Sequence, residues 1–100
     1  MAVKISWSPE ADETFSQNID YLFKEWSEKE VEKFINQTQQ VIHRIQIFPE
    51  SYPEGIKNNK YRKARLNKYT IMFYRYYKSK GAIVIITFWN VKQDPNKLKY

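Results

Sequence analysis

The spacing of apolar positions changes twice along the chain. Val3, Ile5 and Trp7 alternate with Lys4 and Ser6, the mark of a short half-buried strand. Ser8-Pro9-Glu10 then reads as a helix start: Ser as N-cap, Pro at the first helical position, acids in the first turn. Ala11, Phe15, Ile19, Leu22, Phe23 and Trp26 recur at i, i+3/i+4 and predict a helix over about 9–26. Ser27-Glu28-Lys29-Glu30 is a capping box that starts a second helix almost without a linker. Its stripe runs Val31, Phe34, Ile35, Thr38, Val41, Ile42, Ile45, Phe48, and Pro49 stops it. Two amphipathic helices joined this tightly fold back as an antiparallel hairpin.

Residues 49–59, with two prolines and a glycine, form the main loop. Beyond it the period drops to about two. Lys60–Leu66 reads as a strand with Ala64 and Leu66 on one face and Lys63 and Arg65 on the other. Asn67-Lys68 fits a two-residue turn. Tyr69–Lys78 is a long aromatic strand, Ser79-Lys80-Gly81 a turn, and Ala82–Trp89 an apolar, β-branched strand expected to be central and covered on both faces. A polar tail, Asn90–Tyr100, closes the chain. The predicted fold is α+β in a single domain over 1–100. An N-terminal strand leads into an antiparallel two-helix hairpin, then a three-stranded antiparallel meander. The helices pack on one face of the sheet and the positive charge lies on the other.

Charge sharpens this division. Residues 1–56 hold five Lys/Arg against ten Asp/Glu; residues 57–100 hold twelve against one, Asp94. The halves balance at −5 and +11, giving the net +6. Such a concentration of like charge points to a polyanionic partner: nucleic acid, a ribosome or an acidic protein segment. Cysteine is absent and His43 is the single histidine, so disulfides and Cys- or His-cluster metal sites are excluded. His43 reads as a solvated helix residue. The opening MAVKISWSPEA has no apolar run of signal-peptide length, and Ala82–Ile86 is far below the ~20 residues that span a bilayer. A soluble cytoplasmic protein without membrane contact is expected.

Three groups carry candidate chemistry. Lys57, Lys60, Arg62, Lys63 and Arg65 surround Tyr61 and are joined by Arg75, Lys78 and Lys80; cations neutralise phosphates and exposed tyrosines stack on bases. The bland alternative is a row of solvated strand residues. Asn90-Val91-Lys92-Gln93-Asp94-Pro95 follows the buried strand, where site residues often lie, although a plain strand-ending turn accounts for it equally well. The Tyr69, Phe73, Tyr74, Tyr76, Tyr77 ladder with Phe88 and Trp89 is mostly core. There is no P-loop, nucleophile elbow or Ser/His/Asp set. A simple RNA- or DNA-binding domain stays open on these grounds. So does metal-free RNA cleavage, which needs only cations around the phosphorane and a base for the 2′-OH.

Ile5-Ser6-Trp7-Ser8-Pro9-Glu10-Ala11, Phe48-Pro49 with Tyr52-Pro53, Tyr61-Arg62-Lys63-Ala64-Arg65-Leu66, Tyr69-Thr70-Ile71-Met72-Phe73-Tyr74 and Asn90–Pro95, in this order, resemble the RelE/ParE toxin superfamily of bacterial type II toxin–antitoxin modules. The resemblance covers the whole chain. It implies a plasmid-stabilisation type of toxin held inactive by a cognate antitoxin, with no cofactor or metal, as a possible homodimer or toxin–antitoxin hetero-oligomer. RelE-like members cleave mRNA on the ribosome; ParE-like members inhibit DNA gyrase. On the RelE-like pattern Lys63, Arg65, Lys92 and Tyr100 would be catalytic; on either route Lys60, Tyr61, Arg62 and Arg75 of the basic patch would bind nucleic acid or the target. Thr70 and Gln93 stand where that pattern has arginines. Each such transition-state donor is typically worth about 10²–10³ in rate. The resemblance thus implies a gyrase-directed or non-nucleolytic toxin first and an mRNA endoribonuclease second.

Overall fold

The computed structural model describes residues 3–100. The elements run β1 (Lys4–Trp7), α1 (Pro9–Glu25), α2 (Glu28–Ile47), β2 (Arg62–Arg65), β3 (Thr70–Tyr77) and β4 (Ala82–Asn90), with 3-10 turns at Lys78–Lys80 and Pro95–Lys97. Both helix starts form as the sequence predicts. The Ser8 hydroxyl accepts from Ala11 N–H and that of Ser27 from Glu30 N–H, each filling one of the donors a helix start leaves open.

The sheet order is β1-β4-β3-β2. The β2–β3–β4 meander is antiparallel, whereas β1 lies parallel to β4, so the sheet is mixed and β4 is central. A parallel partner needs a crossover, and the helical hairpin supplies it. Asn67-Lys68 does not form a two-residue turn: Leu66–Tyr69 bridges the strands, and the Asn67 side chain accepts from the Tyr69 and Thr70 amides at 2.8 and 3.0 Å. Gly81, at φ 58°, takes the left-handed conformation that ends the β3–β4 turn.

One face of the sheet is sealed by the hairpin. Ala64, Met72, Tyr74, Ile83, Ile85 and Phe88 pack there against Ala11, Phe34, Val41 and Ile45. Phe15 joins Trp7, Phe34 and Phe88 at ring separations of 5.1–5.2 Å. Burying each such ring stabilises the fold by about 1.5–3 kcal/mol. The expectation that β4 is covered on both faces fails: Ala82, Val84 and Ile86 are only half-buried, because no second layer of helices lies on that side.

Between Phe73 and Tyr74 the β3–β4 register shifts, leaving Ile86 as a bulge on β4. β1 pairs only with Ala82–Ile85, so β4 runs past it with an open edge. The start of α1 closes that edge. Ser8 N–H donates to the Ile85 carbonyl at 2.9 Å and its hydroxyl to the Ile86 carbonyl at 2.7 Å. The Thr14 hydroxyl accepts from Phe88 N–H at 2.9 Å.

Candidate functional site: the open face of the sheet

Strand alternation decides what the uncovered face displays. Ala64, Met72 and Tyr74 point to the hairpin, so their neighbours Lys63, Arg65, Ile71, Phe73, Arg75 and Tyr77 stand on the opposite face. Phe73 is 2% exposed although no helix covers it. Its cover is the tail: the Tyr100 ring lies 5.8 Å from Phe73 and 4.7 Å from Tyr61.

Two residues far away in sequence fix the tail there. Lys57 Nζ donates to the Pro95 and Leu98 carbonyls at 2.7 and 3.0 Å. Gly55 lies directly against the Tyr100 carbonyl, in space a Cβ would occupy. The Tyr100 hydroxyl donates to Glu10 at 3.4 Å. Burial first, and the Glu10 carboxylate second, raise the Tyr100 pKa above the ordinary tyrosine value. The one O–H of Tyr100 is thus directed at Glu10, and its ring covers the apolar centre of the face.

Around this centre the structure gathers Tyr61, Lys63, Phe73, Arg75 and Tyr100. Lys63 is the cross-strand partner of Phe73. The Arg75 guanidinium sits 4.5 Å above the Tyr77 ring and 6.0 Å from that of Tyr61. Such stacking orients a guanidinium while leaving its N–H groups free for a partner. Lys60 is exposed in the loop before β2.

Other predicted site residues lie elsewhere. Arg62 turns the other way and ties the 49–61 loop to β2: it donates to the Tyr52 carbonyl at 2.8 Å and pairs with Glu50 and Glu54 at 3.5 and 3.9 Å. Arg65 stands at the turn end of β2 and donates to the Lys68 carbonyl at 2.9 Å. Lys92 points away from Tyr100, its ammonium 5.1 Å over the Tyr69 ring. Thr70 is buried at the start of β3, and the Gln93 side chain accepts from Asn90 N–H. No three His, Cys, Asp or Glu cluster as metal ligands among the described residues, and no described helix is long and apolar enough to cross a membrane.

Sequence reasoning missed a second concavity. Phe23 and Trp26, assigned to the buried stripe of α1, are 64% and 60% exposed because the helix runs beyond the sheet. Trp26 lines a groove of about 400 Å³ between the hairpin tip and the β2–β3 loop. Two large aromatics at the extreme end of a predicted helix were the available signal.

No protein-family model and no curated protein matches the sequence. Solved structures do. A chain of a chromosomal ParDE toxin–antitoxin system from P. aeruginosa superposes with a TM-score of 0.72 at 14% identity, over 90% of this chain and 97% of that one. A YoeB/ParE toxin from Agrobacterium tumefaciens gives 0.63 at 12% identity, over 87% and 96%. The YoeB dimer from Staphylococcus aureus gives 0.55 at 18% identity, over 87% and 94%. The chain has the fold of the RelE/ParE toxins, the fold its motifs resemble.

Proposed function

We propose that this protein is the toxin of a type II toxin–antitoxin module and arrests growth by a ParE-like, gyrase-directed or otherwise non-nucleolytic route. The observation that carries the reading is the superposition on the ParDE chain along nearly the whole length of both. The charge division supports the partner: a cationic open face suits an acidic antitoxin segment, which would cover it when bound.

The arrangement of the cations supports the route. Metal-free RNA cleavage needs donors converging on one phosphate. Here Lys63 and Tyr100 share a neighbourhood, but Arg65 is held by the turn and Lys92 stands over Tyr69. The positions where the resemblance expects arginines carry Thr70 and Gln93. Ribosome-dependent mRNA cleavage is the second reading, favoured by Lys63 and Tyr100 both standing beside Phe73.

Induced expression of the chain should stop growth, and co-expression of the neighbouring small reading frame should restore it. In the arrested cells plasmid supercoiling should collapse while primer extension shows intact transcripts. Cuts at codon positions with supercoiling intact would replace the first route by the second. Unimpaired growth would remove the toxin reading.

A further inference from the structure

The groove at the hairpin tip shares no lining residue with the open-face cluster of Tyr61, Lys63, Phe73, Arg75 and Tyr100 and is built unlike it. Four aromatic side chains line it: Phe34 forms its buried floor, while Tyr21, Trp26 and Tyr69 are 49%, 60% and 42% exposed. Large aromatic rings left this open on a small domain normally meet something. Lys33, Lys68 and Lys92 also line it. The ammoniums of Lys68 and Lys92 lie 5.9 and 5.1 Å from the centre of the one Tyr69 ring. Both cations thus gather at one ring of the groove wall, and neither belongs to an ion pair among the described residues. An anion in the groove near Tyr69 would gain from both charges.

The remaining lining is Leu22, Thr70, one carboxylate, Glu30, on the Trp26 side, and four amides, Asn18, Gln37, Asn67 and Asn90. The known bonds of three of these amides leave hydrogen-bonding capacity over. Asn18 donates to the Thr14 carbonyl at 2.8 Å, which leaves its Oδ1 as an acceptor. The Gln37 carbonyl accepts from Asn67 at 3.0 Å and the Asn90 carbonyl from Lys92 N–H at 2.9 Å, which leaves the NH₂ of each as a donor. Flat rings, paired cations, and amides able both to give and to accept are the chemistry of a heteroaromatic base bearing a phosphate. The volume lies within the roughly 300–1,000 Å³ of small-molecule sites.

We propose that this groove is a nucleotide site: the base stacks on Trp26 and Tyr21, and the phosphate lies at the Tyr69 end, within reach of Lys68 and Lys92. The nucleotide is either free or the end of a single strand. The site is separate from the open face and does not depend on the toxin reading.

The test is a ¹H–¹⁵N NMR titration of the full chain with adenosine 5′-monophosphate at low salt. The Trp26 indole N–H and the Asn67 and Asn90 side-chain amides should shift in a saturable way. Adenosine without phosphate should bind on the order of tenfold more weakly, and so should AMP to the Lys68→Ala/Lys92→Ala variant, since charge-assisted contacts are at stake. Trp26→Ala should lose a similar factor through stacking. Trp26 is exposed, so that variant keeps its fold, and a thermal melt verifies this. A short single-stranded oligoadenylate separates the sources. If it matches AMP, the ligand is a free nucleotide; if it binds at least tenfold tighter with the same shifts and the same Lys68/Lys92 dependence, it is a strand end. Absence of shifts at about 5 mM AMP, a level that reveals even millimolar affinity, would overturn the proposal. So would shifts confined to Lys63, Arg75 and Tyr100, or the same groove shifts with inorganic phosphate alone.

Discussion

The two faces of the sheet solve opposite problems with similar residues. The hairpin face is closed by phenylalanines: Phe15, Phe34 and Phe88 with Trp7 form a dry ring cluster that asks for no polar partner. The open face is closed by tyrosines, Tyr61 and Tyr100 over Phe73, interleaved with Lys63 and Arg75. A phenol shields an apolar neighbour and keeps a polar tip for a partner. The first face is therefore where stability resides, and the second is where binding can be altered without unfolding the chain.

The strongest way to break this contrast is Phe34→Ala. The ring is 2% exposed at the centre of the cluster, and its removal should cost about 3–5 kcal/mol in urea unfolding. Domains of this kind have about 5–15 kcal/mol in total. A loss below about 1 kcal/mol would show that the hairpin face is not the seat of stability.

A smaller effect is expected where the two faces meet, at the β4 bulge. Thr14→Val keeps the shape of the side chain and removes the acceptor for Phe88 N–H. A buried donor left unpaired costs about 1–3 kcal/mol. Local hydrogen exchange at Phe88 should speed up more than at Ile83, which keeps its ladder bonds. Equal change at both sites would mean that α1 does not guard this edge.

Tyr74 gives an effect of about 1 kcal/mol at neutral pH that is lost in alkali. Its hydroxyl donates to the Pro49 carbonyl at 2.7 Å, and burial pushes its pKa up to about 12 from 10. An acid with a raised folded-state pKa holds its proton more tightly when folded. Its contribution is complete below about pH 10 and is lost as pH rises toward 12. Tyr74→Phe should cost about 1 kcal/mol at pH 7. It should also unfold with a visibly flatter pH dependence between 10 and 12 than the parent. Parallel pH curves for the two proteins would show that Tyr74 titrates as it does in the unfolded chain.

The hairpin face was the legible one. Ser8-Pro9 and Ser27 with Glu30 mark both helix starts through local hydrogen bonds, and the stripe from Val31 to Ile45 falls where the core lies. The meander was legible from its period of two. What the sequence concealed depends on contacts between distant residues. Nothing around Ile86 announces a bulge, because it arises from pairing with Phe73 and Tyr74. Gly55 reads as loop punctuation until the tail arrives beside it. Lys57 reads as one cation of a patch, yet it holds carbonyls 38 and 41 residues further on. Arg62 differs from Lys63 only by strand parity, and parity places it against Tyr52 and away from the open face. Charge counting cannot separate such neighbours; the register can.

The smallest expected change in stability carries the largest expected change in function. Lys63→Ala removes a charge from a strand surface, a substitution that normally stays within about ±0.5 kcal/mol. Arg75→Ala loses its stacking on Tyr77, worth about 0.5–1 kcal/mol at an exposed site. Both variants should melt within a few degrees of the parent. If the open face also meets the cellular target, both should still lose growth inhibition, because each removes a cation from that face. Lys29→Ala, on the exposed side of α2, removes the same charge from the hairpin and should leave inhibition intact. The triplet separates net charge from placed charge. If all three weaken together, the basic character of the chain acts as a diffuse field; if Lys63 and Arg75 alone matter, the tyrosine-framed open face is the working surface.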